Sequence, residues 1–509
     1  MTGILDTYPE YRSTTRLDEL RESEYSYLDI QDHAYLDYTG SGLAAQAQRR
    51  HHQERLAQTV YGNPHSVNPT SAAATEAVDR TRARILAHVN AAPAEYAVIF
   101  TSSATAAARL VGEAYPFRRG TRFVLTADNH NSINGIREFA RARKAKTTYI
   151  PLQSPDFRVD SADVVSALSS KRGLVHRLSL SDCGGILNWS QQSNGTPRRQ
   201  LRQTRNHRNG LFAYPAQSNF TGVRHSLSWI PLAQQRGYHV LLDAAAFLPT
   251  SSLDLSEVKP DFVLVSWYKL FGYPTGVGCL IARRDALACL ERPWFSGGTI
   301  RAATVAVPWH LMAEGAEAFE DGTLNFLSIP DVHFGLDWLA GIGMSVVDTR
   351  VHCLTGWFLA RLQQLRHSNG SPMARVYGPT DMKMRGGTVA FNFLDAAGNV
   401  VDERLVALES AAAKISLRTG CFCNPGAGEA ALGLDVKAVR RLVRSRAQDL
   451  PRDLDEFIEV VGLRTAGAVR VSFGFASTTA DVDKFLGFAE KTYKDRVTTS
   501  VRLPHREQC

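Results

Sequence analysis

DFVLVSWYKLFGYPTG, residues 261–276, runs from a β-branched apolar stretch through one lysine, Lys269, into a glycine-rich turn. The apolar stretch reads as a buried strand, and the turn as the point where the chain leaves a sheet. An ammonium among aromatic and apolar neighbours is disfavoured by desolvation. Lys269 therefore either snorkels to solvent or serves a chemistry that needs a neutral amine.

The same layout recurs upstream. EYAVIFTSS (95–103), RFVLTADNH (122–130) and GYHVLLDAAA (237–246) are short apolar runs that end in small or polar residues, and the first leads into the alanine-rich ATAAARLVGEAY. Buried strands alternating with helical patterns from about residue 85 to 285 predict an α/β domain whose mostly parallel sheet is covered by helices. After FEDGTLNFLSIPDVHFGLDWLAGIG the texture changes to a long helical stretch near 331–368, followed by strand-like GGTVAFNFLD and GAVRVSFGF. This order predicts a smaller α+β domain. The expected division is an N-terminal segment, 1–60, packed on the small domain, a large domain at 61–335 and a small domain at 336–509.

A chain of 509 residues with 44% hydrophobic and 21% charged residues can bury a large core. Its formal net charge of +8 gathers partly in PRRQLRQTRNHRNG (197–210), where Arg198, Arg199, Arg202, Arg205 and Arg208 have no interleaved aromatics. That composition reads as a solvated insertion of open role rather than a nucleic-acid surface. No basic-then-apolar leader opens the chain, and no run approaches the ~18 apolar residues of a spanning helix, so the cytoplasm is the expected compartment and no membrane partner is expected. Seven cysteines, Cys183 among them, are too few for a disulfide framework. Cys421 and Cys423 stand apart because they flank Phe422 in a glycine-rich turn, and a lone C-x-C does not specify a metal site.

In open α/β sheets ligands bind beyond the carboxyl ends of the strands. Those positions hold Ser102-Ser103-Ala104-Thr105, Asp128-Asn129-His130, Asp243, and Ser266 with Lys269. A Ser/Thr turn opening a helix is either a plain cap or a phosphate cup. His130 alone reads as a packed core histidine, and Asp243 as a carboxylate that must find a cationic partner. Together they supply an amine for an aldehyde, an anion for a pyridinium, a face for an aromatic ring and a cup for a phosphate. That set fits pyridoxal 5'-phosphate.

Segments throughout the chain carry a resemblance: YLDYTGSGL, YGNPHSVN, DNHNSINGIRE, LFAYPAQSNFTGVRHSLSWI, VLLDAAAF, SWYKLFGYPTGVGCLIAR, FEDGTLNFLSI, LRTGCFCNPGA and VRVSFGFAST. Over most of residues 35–490 the sequence resembles the N-terminal, cysteine-desulfurase-like domain of molybdenum cofactor sulfurases, within the fold-type I, aminotransferase class V group of pyridoxal phosphate enzymes. The resemblance implies that Lys269 is the cofactor lysine, Asp243 the partner of the pyridine nitrogen, His130 the ring-stacking residue and Asn219 a donor to the phenolic oxygen. It implies phosphate contacts from Ala104, Thr105 and Ser266, and from Thr299 to the cofactor of a second subunit in a homodimer. Arg470 would bind the substrate's α-carboxylate, with Arg418 nearby. Cys423 would be the sulfur-accepting nucleophile, with Cys421 as the alternative. The chain departs from the pattern at Tyr38, where a histidine is usual, and at Gly428, where a cysteine is usual. A C-terminal molybdenum-cofactor-binding domain of the family's kind is not expected within these 509 residues.

The expected activity is that of a cysteine desulfurase acting on L-cysteine or a cysteine derivative, forming alanine and an enzyme persulfide for an acceptor the sequence does not name. The alternative is a carbon–sulfur lyase or a β-elimination or β-substitution enzyme on a specialised cysteine-type substrate. A non-catalytic scaffold is disfavoured by the intact Lys269, Asp243, His130 and Arg470.

Overall fold

A computed structural model of the chain describes residues 3–64, 66–169, 209–434, 436–444, 451–463, 465–497, 503, 505 and 506. Cys183 and the arginines at 198, 199, 202, 205 and 208 lie outside the described residues, as does all of the 197–210 insertion before Asn209.

The apolar runs assemble into a seven-stranded sheet in the order Tyr96–Thr101, Gly278–Arg283, Phe262–Ser266, Tyr238–Asp243, Gly210–Pro215, Arg122–Thr126, Lys146–Ile150. All strands run parallel except Gly278–Arg283, which is antiparallel to both neighbours. That reversal follows from the lysine turn: a short loop can return the chain only antiparallel, whereas a parallel return needs a crossover helix. Central strands are buried along their whole length, and their two faces feed two apolar clusters. Lys146–Ile150 lies at the edge and is exposed or half-exposed along its length except at Ile150.

A second, antiparallel sheet orders Ala374–Tyr377, Thr388–Phe393, Ala468–Ser472 and Arg418–Gly420. The helical stretch expected near 331–368 is two helices, Ile329–Ile342 and Met344–Gln364, separated at Gly343, whose φ of 86° ends the first. The N-terminal segment crosses both regions. Its strand Ala34–Tyr35 pairs in parallel with Ile415–Ser416, and Asp37 bridges to Ser472. A hairpin, Ile300–Thr304 with Trp309–Met312, stands outside both sheets with its strands largely exposed. No helix among the described residues is long and apolar enough to cross a membrane, and no described group of three His, Cys, Asp or Glu is arranged to hold a metal.

Candidate active site

The carboxyl edge of the large sheet gathers most of the residues singled out above. Gly278 pairs with Thr101 on one side and Ser266 on the other, which sets the Ser102–Thr105 turn beside the lysine turn. A methyl group added at Gly278 would lie 2.5 Å from the carbonyl carbon of Ser103 and 2.7 Å from the Ala104 nitrogen. Only a residue without a side chain allows this approach. The helix Ala104–Ala114 starts at the turn, capped by the Ser103 hydroxyl, which accepts from the Ala106 amide at 3.1 Å. Its first amides and positive dipole end suit an anion.

From Thr105 a hydrogen-bond chain leads to the histidine. The Thr105 and Ser132 hydroxyls lie 2.7 Å apart, Ser132 Oγ is 2.9 Å from His130 Nδ1, and the Ser132 amide donates to that same Nδ1 at 3.1 Å. Because the amide can only donate, Nδ1 is an acceptor and the neutral ring carries its proton on Nε2. Burial lowers the His130 pKa, and the neighbouring Lys269 lowers it further against the opposing pull of Asp243.

Lys269 sits in the short helix Trp267–Phe271, which Ser266 opens and Gly272 ends with a φ of 76°. The N-terminal segment presses on this helix: the Gly42 amide donates to the Tyr268 carbonyl at 3.0 Å, and a methyl at Gly272 would lie 2.2 Å from the Ala44 nitrogen. Burial lowers the Lys269 pKa; Asp243 opposes the shift and Arg470 adds to it. Of the two roles open to Lys269 in the sequence, this surrounding favours a neutral amine. Asp243, at its strand's end, accepts the Ala245 amide on Oδ1 at 3.0 Å.

Arg470 is 3% exposed. Its Nη1 donates to the Asn219 carbonyl at 3.1 Å, its Nη2 donates to Asp37 Oδ1 at 2.8 Å, and its guanidinium lies 4.8 Å over the Phe422 ring. Nε is buried without a partner among the described residues. Arg418, paired with Arg470 in register on the neighbouring strand, donates to the other Asp37 oxygen from Nη2 at 2.7 Å and from Nε at 3.0 Å.

The C-x-C turn folds onto this cluster. Phe422 and Cys423 both take left-handed conformations, with φ of 56° and 53°. The Phe422 carbonyl accepts from Asn219 Nδ2 at 2.8 Å, and the Cys423 carbonyl accepts from the Asn131 amide, next to His130, at 2.7 Å. Asn424, fully buried, donates to the Asp128 carbonyl at 2.7 Å and to Asn219 Oδ1 at 2.9 Å, and caps the helix Pro425–Leu432. Cys421 is buried at 4% exposure, whereas Cys423 is exposed and its thiol is free. Thr299 lies apart in this chain: it is fully buried, and its hydroxyl bonds back to Ser296 within its own turn.

Strand-end reading missed Asp37, Phe422 and Asn424, and it missed the buried pair His225–Asp128, Nε2 to Oδ2 at 2.8 Å, beneath the histidine turn. A left-handed turn next to C-x-C offers no residue-type signal, because neither Phe nor Cys favours that conformation. Asn424-Pro425, a cap residue before a proline, was the one available sign of a helix start.

The site and sheet order define a fold-type I α/β protein. The apo structure of a cysteine desulfurase from Thermococcus onnurineus NA1 superposes with a TM-score of 0.71 at 21% identity, covering 93% of this chain and 97% of that one. A cysteine desulfurase from Escherichia coli gives 0.67 at 18%, covering 93% and 98%. The chain belongs to the aminotransferase class-V family, whose model matches residues 34–193 and 185–485. It is 33% identical to the molybdenum cofactor sulfurase of Arabidopsis thaliana over 94% of its own length and 58% of that protein's, and 34% identical to the human one over 93% and 51%. It thus spans about half the length of these relatives.

Proposed function

We propose that this chain is a pyridoxal phosphate enzyme of the cysteine desulfurase type, converting L-cysteine and the Cys423 thiol into L-alanine and a Cys423 persulfide. One sulfur atom passes from substrate to enzyme, and no external oxidant or reductant is consumed. The observation that carries the reading is the docking of the C-x-C turn on the cluster, with the backbone of Phe422 and Cys423 hydrogen-bonded to Asn219 and Asn131 and the Cys423 thiol free.

The residues present fit the cofactor. The turn at Ser102–Thr105 and Ser266 would hold its phosphate, Asp243 its ring nitrogen, His130 its ring face and Lys269 its aldehyde carbon. Asn219 would reach its phenolic oxygen, exchanging its hydrogen bond to Phe422. Bound pyridoxal phosphate supplies an electron sink for substrate carbons that lose a proton or a sulfur. Arg470 holds the substrate's carboxylate through a charge-assisted pair. Lys269, favoured as a neutral amine, takes up the α-proton and returns a proton to the product. His130 keeps its Nε2 proton, because Nδ1 is occupied by the Ser132 amide. Cys423 takes the sulfur as a thiolate.

Domain boundaries at 60/61 and 335/336, a cytoplasmic location and a homodimer belong to the same reading. The dimer is supported by apolar side chains on and beside the 300–312 hairpin, with Trp294 49%, Phe295 42%, Val307 66%, Trp309 41% and Leu311 48% exposed. The test is incubation of the cofactor-loaded protein with L-cysteine, scoring alanine, pyruvate and sulfide separately. Alanine with a Cys423 persulfide is expected, and Cys423→Ala should lower alanine formation by orders of magnitude while cofactor binding persists. Pyruvate and sulfide at the wild-type rate from Cys421→Ala/Cys423→Ala would instead establish a lyase.

A further inference from the structure

Asp37 has no role in the chemistry above, yet among the described residues its carboxylate is the one acidic group bonded to Arg470. One oxygen takes Arg470 Nη2 at 2.8 Å and the other takes Arg418 Nη2 at 2.7 Å. Its backbone is held on both sides: the Ser472 amide donates to the Leu36 carbonyl at 2.8 Å, and the Gly40 and Ser41 amides donate to the Asp37 carbonyl at 2.9 and 3.1 Å. The carboxylate leans over Gly40, where an added methyl would lie 2.5 Å from Oδ2. Asp37 is 7% exposed, so water screens it little.

Two arginines and one aspartate leave this cluster with one net positive charge. A ligand carrying one carboxylate neutralises it. A second negative charge on the ligand meets Asp37 with no cation of the cluster left to balance it. Resting on the reading of Arg470 as the carboxylate anchor, we propose that Asp37 is a specificity-determining residue that restricts the site to amino acids with a single carboxylate and rejects those with an anionic side chain. Its carboxylate acts on the ligand by like-charge repulsion and by sharing Arg470's donors. Arg418 acts in the opposite sense by drawing on the same carboxylate.

Calorimetric titration of the cofactor-loaded protein with L-alanine and with L-aspartate reads this directly. Asp37→Asn keeps the shape and an acceptor oxygen for Arg470 while removing the charge. It should improve aspartate binding relative to alanine by at least tenfold. Arg418→Gln, at a half-exposed side chain, should move the ratio the other way and decides the matter alone if Asp37→Asn does not fold. Ratios within twofold of wild type in the folded variants overturn the proposal. Arg470→Lys separates the two levels. If it weakens both ligands while the Asp37 and Arg418 variants leave the ratio unchanged, the anchor stands and the specificity role fails. If it leaves both affinities unchanged, the anchor reading fails and takes the proposal with it.

Discussion

Asn424→Ala should release the C-x-C turn from the cluster without unfolding the chain. The wild-type side chain is fully buried and makes three hydrogen bonds: Nδ2 to the Asp128 carbonyl at 2.7 Å, Nδ2 to Asn219 Oδ1 at 2.9 Å, and Oδ1 from the Ala427 amide at 3.2 Å. Loss of the helix cap costs about 1 kcal/mol. Leaving two buried acceptors short of a donor adds about 1 kcal/mol each at the low end of the usual range. The total, about 3 kcal/mol, corresponds to roughly a hundredfold rise in the open population of the turn. The Asn131 amide reports on it, because its partner is the Cys423 carbonyl at 2.7 Å. Hydrogen exchange at that amide should speed up about a hundredfold. Asn424→Asp keeps the cap oxygen but turns a buried carboxylate oxygen toward those two acceptors, so it should open the turn at least as far as Asn424→Ala. If the Asn131 amide of folded Asn424→Ala exchanges within threefold of wild type, Asn424 is not what holds the turn.

Gly278→Ala forces a methyl to within 2.5 Å of the Ser103 backbone. Overpacking of this kind costs about 1–3 kcal/mol, so cofactor affinity in a fluorescence titration should drop roughly ten- to a hundredfold while the apo protein keeps its circular dichroism; unchanged affinity would separate the turn from the phosphate. His88, in the last turn of the helix Pro69–His88, has its pKa pulled down to about 4 by burial, with Arg84 adding to the shift. The unfolded chain takes up this proton near pH 6.5, so the stabilisation is complete above that pH and is lost as pH falls toward 4. It amounts to about 3 kcal/mol between those limits. Urea unfolding at pH 7.5 and 4.5 should show His88→Leu with a shallower decline than wild type, and equal declines would remove His88 as the source.

Residues that follow an apolar run were legible because the run itself announces the strand and the fold places ligands at its end. Ser103, His130, Asp243 and Lys269 lie at or just past strand ends, where that reading puts them. Asp37 was hidden because its partner is 433 residues away and no local pattern marks the pairing. The direction of the strand Gly278–Arg283 was equally hidden, since an apolar run has the same composition whether its neighbours are parallel or antiparallel. The edge strand Lys146–Ile150 escaped because its half-exposed KTTYI lacks the continuous apolar character of the buried strands. Gly343 broke the 331–368 stretch because both flanks continue the helical pattern and only the backbone angle differs.

The Asp37–Arg470 pair also gives the site a schedule. At about 5–20 residues per second, a ribosome needs roughly 20 to 90 s to travel the 433 residues between them. Within that interval the strands Tyr96–Thr101, Arg122–Thr126, Tyr238–Asp243 and Phe262–Ser266 emerge one after another and can pair, while Asp37 waits without its arginine. The half of the site that would grip the cofactor is therefore older, in the life of each molecule, than the half that would grip the substrate, and a nascent chain can be loaded before it can react.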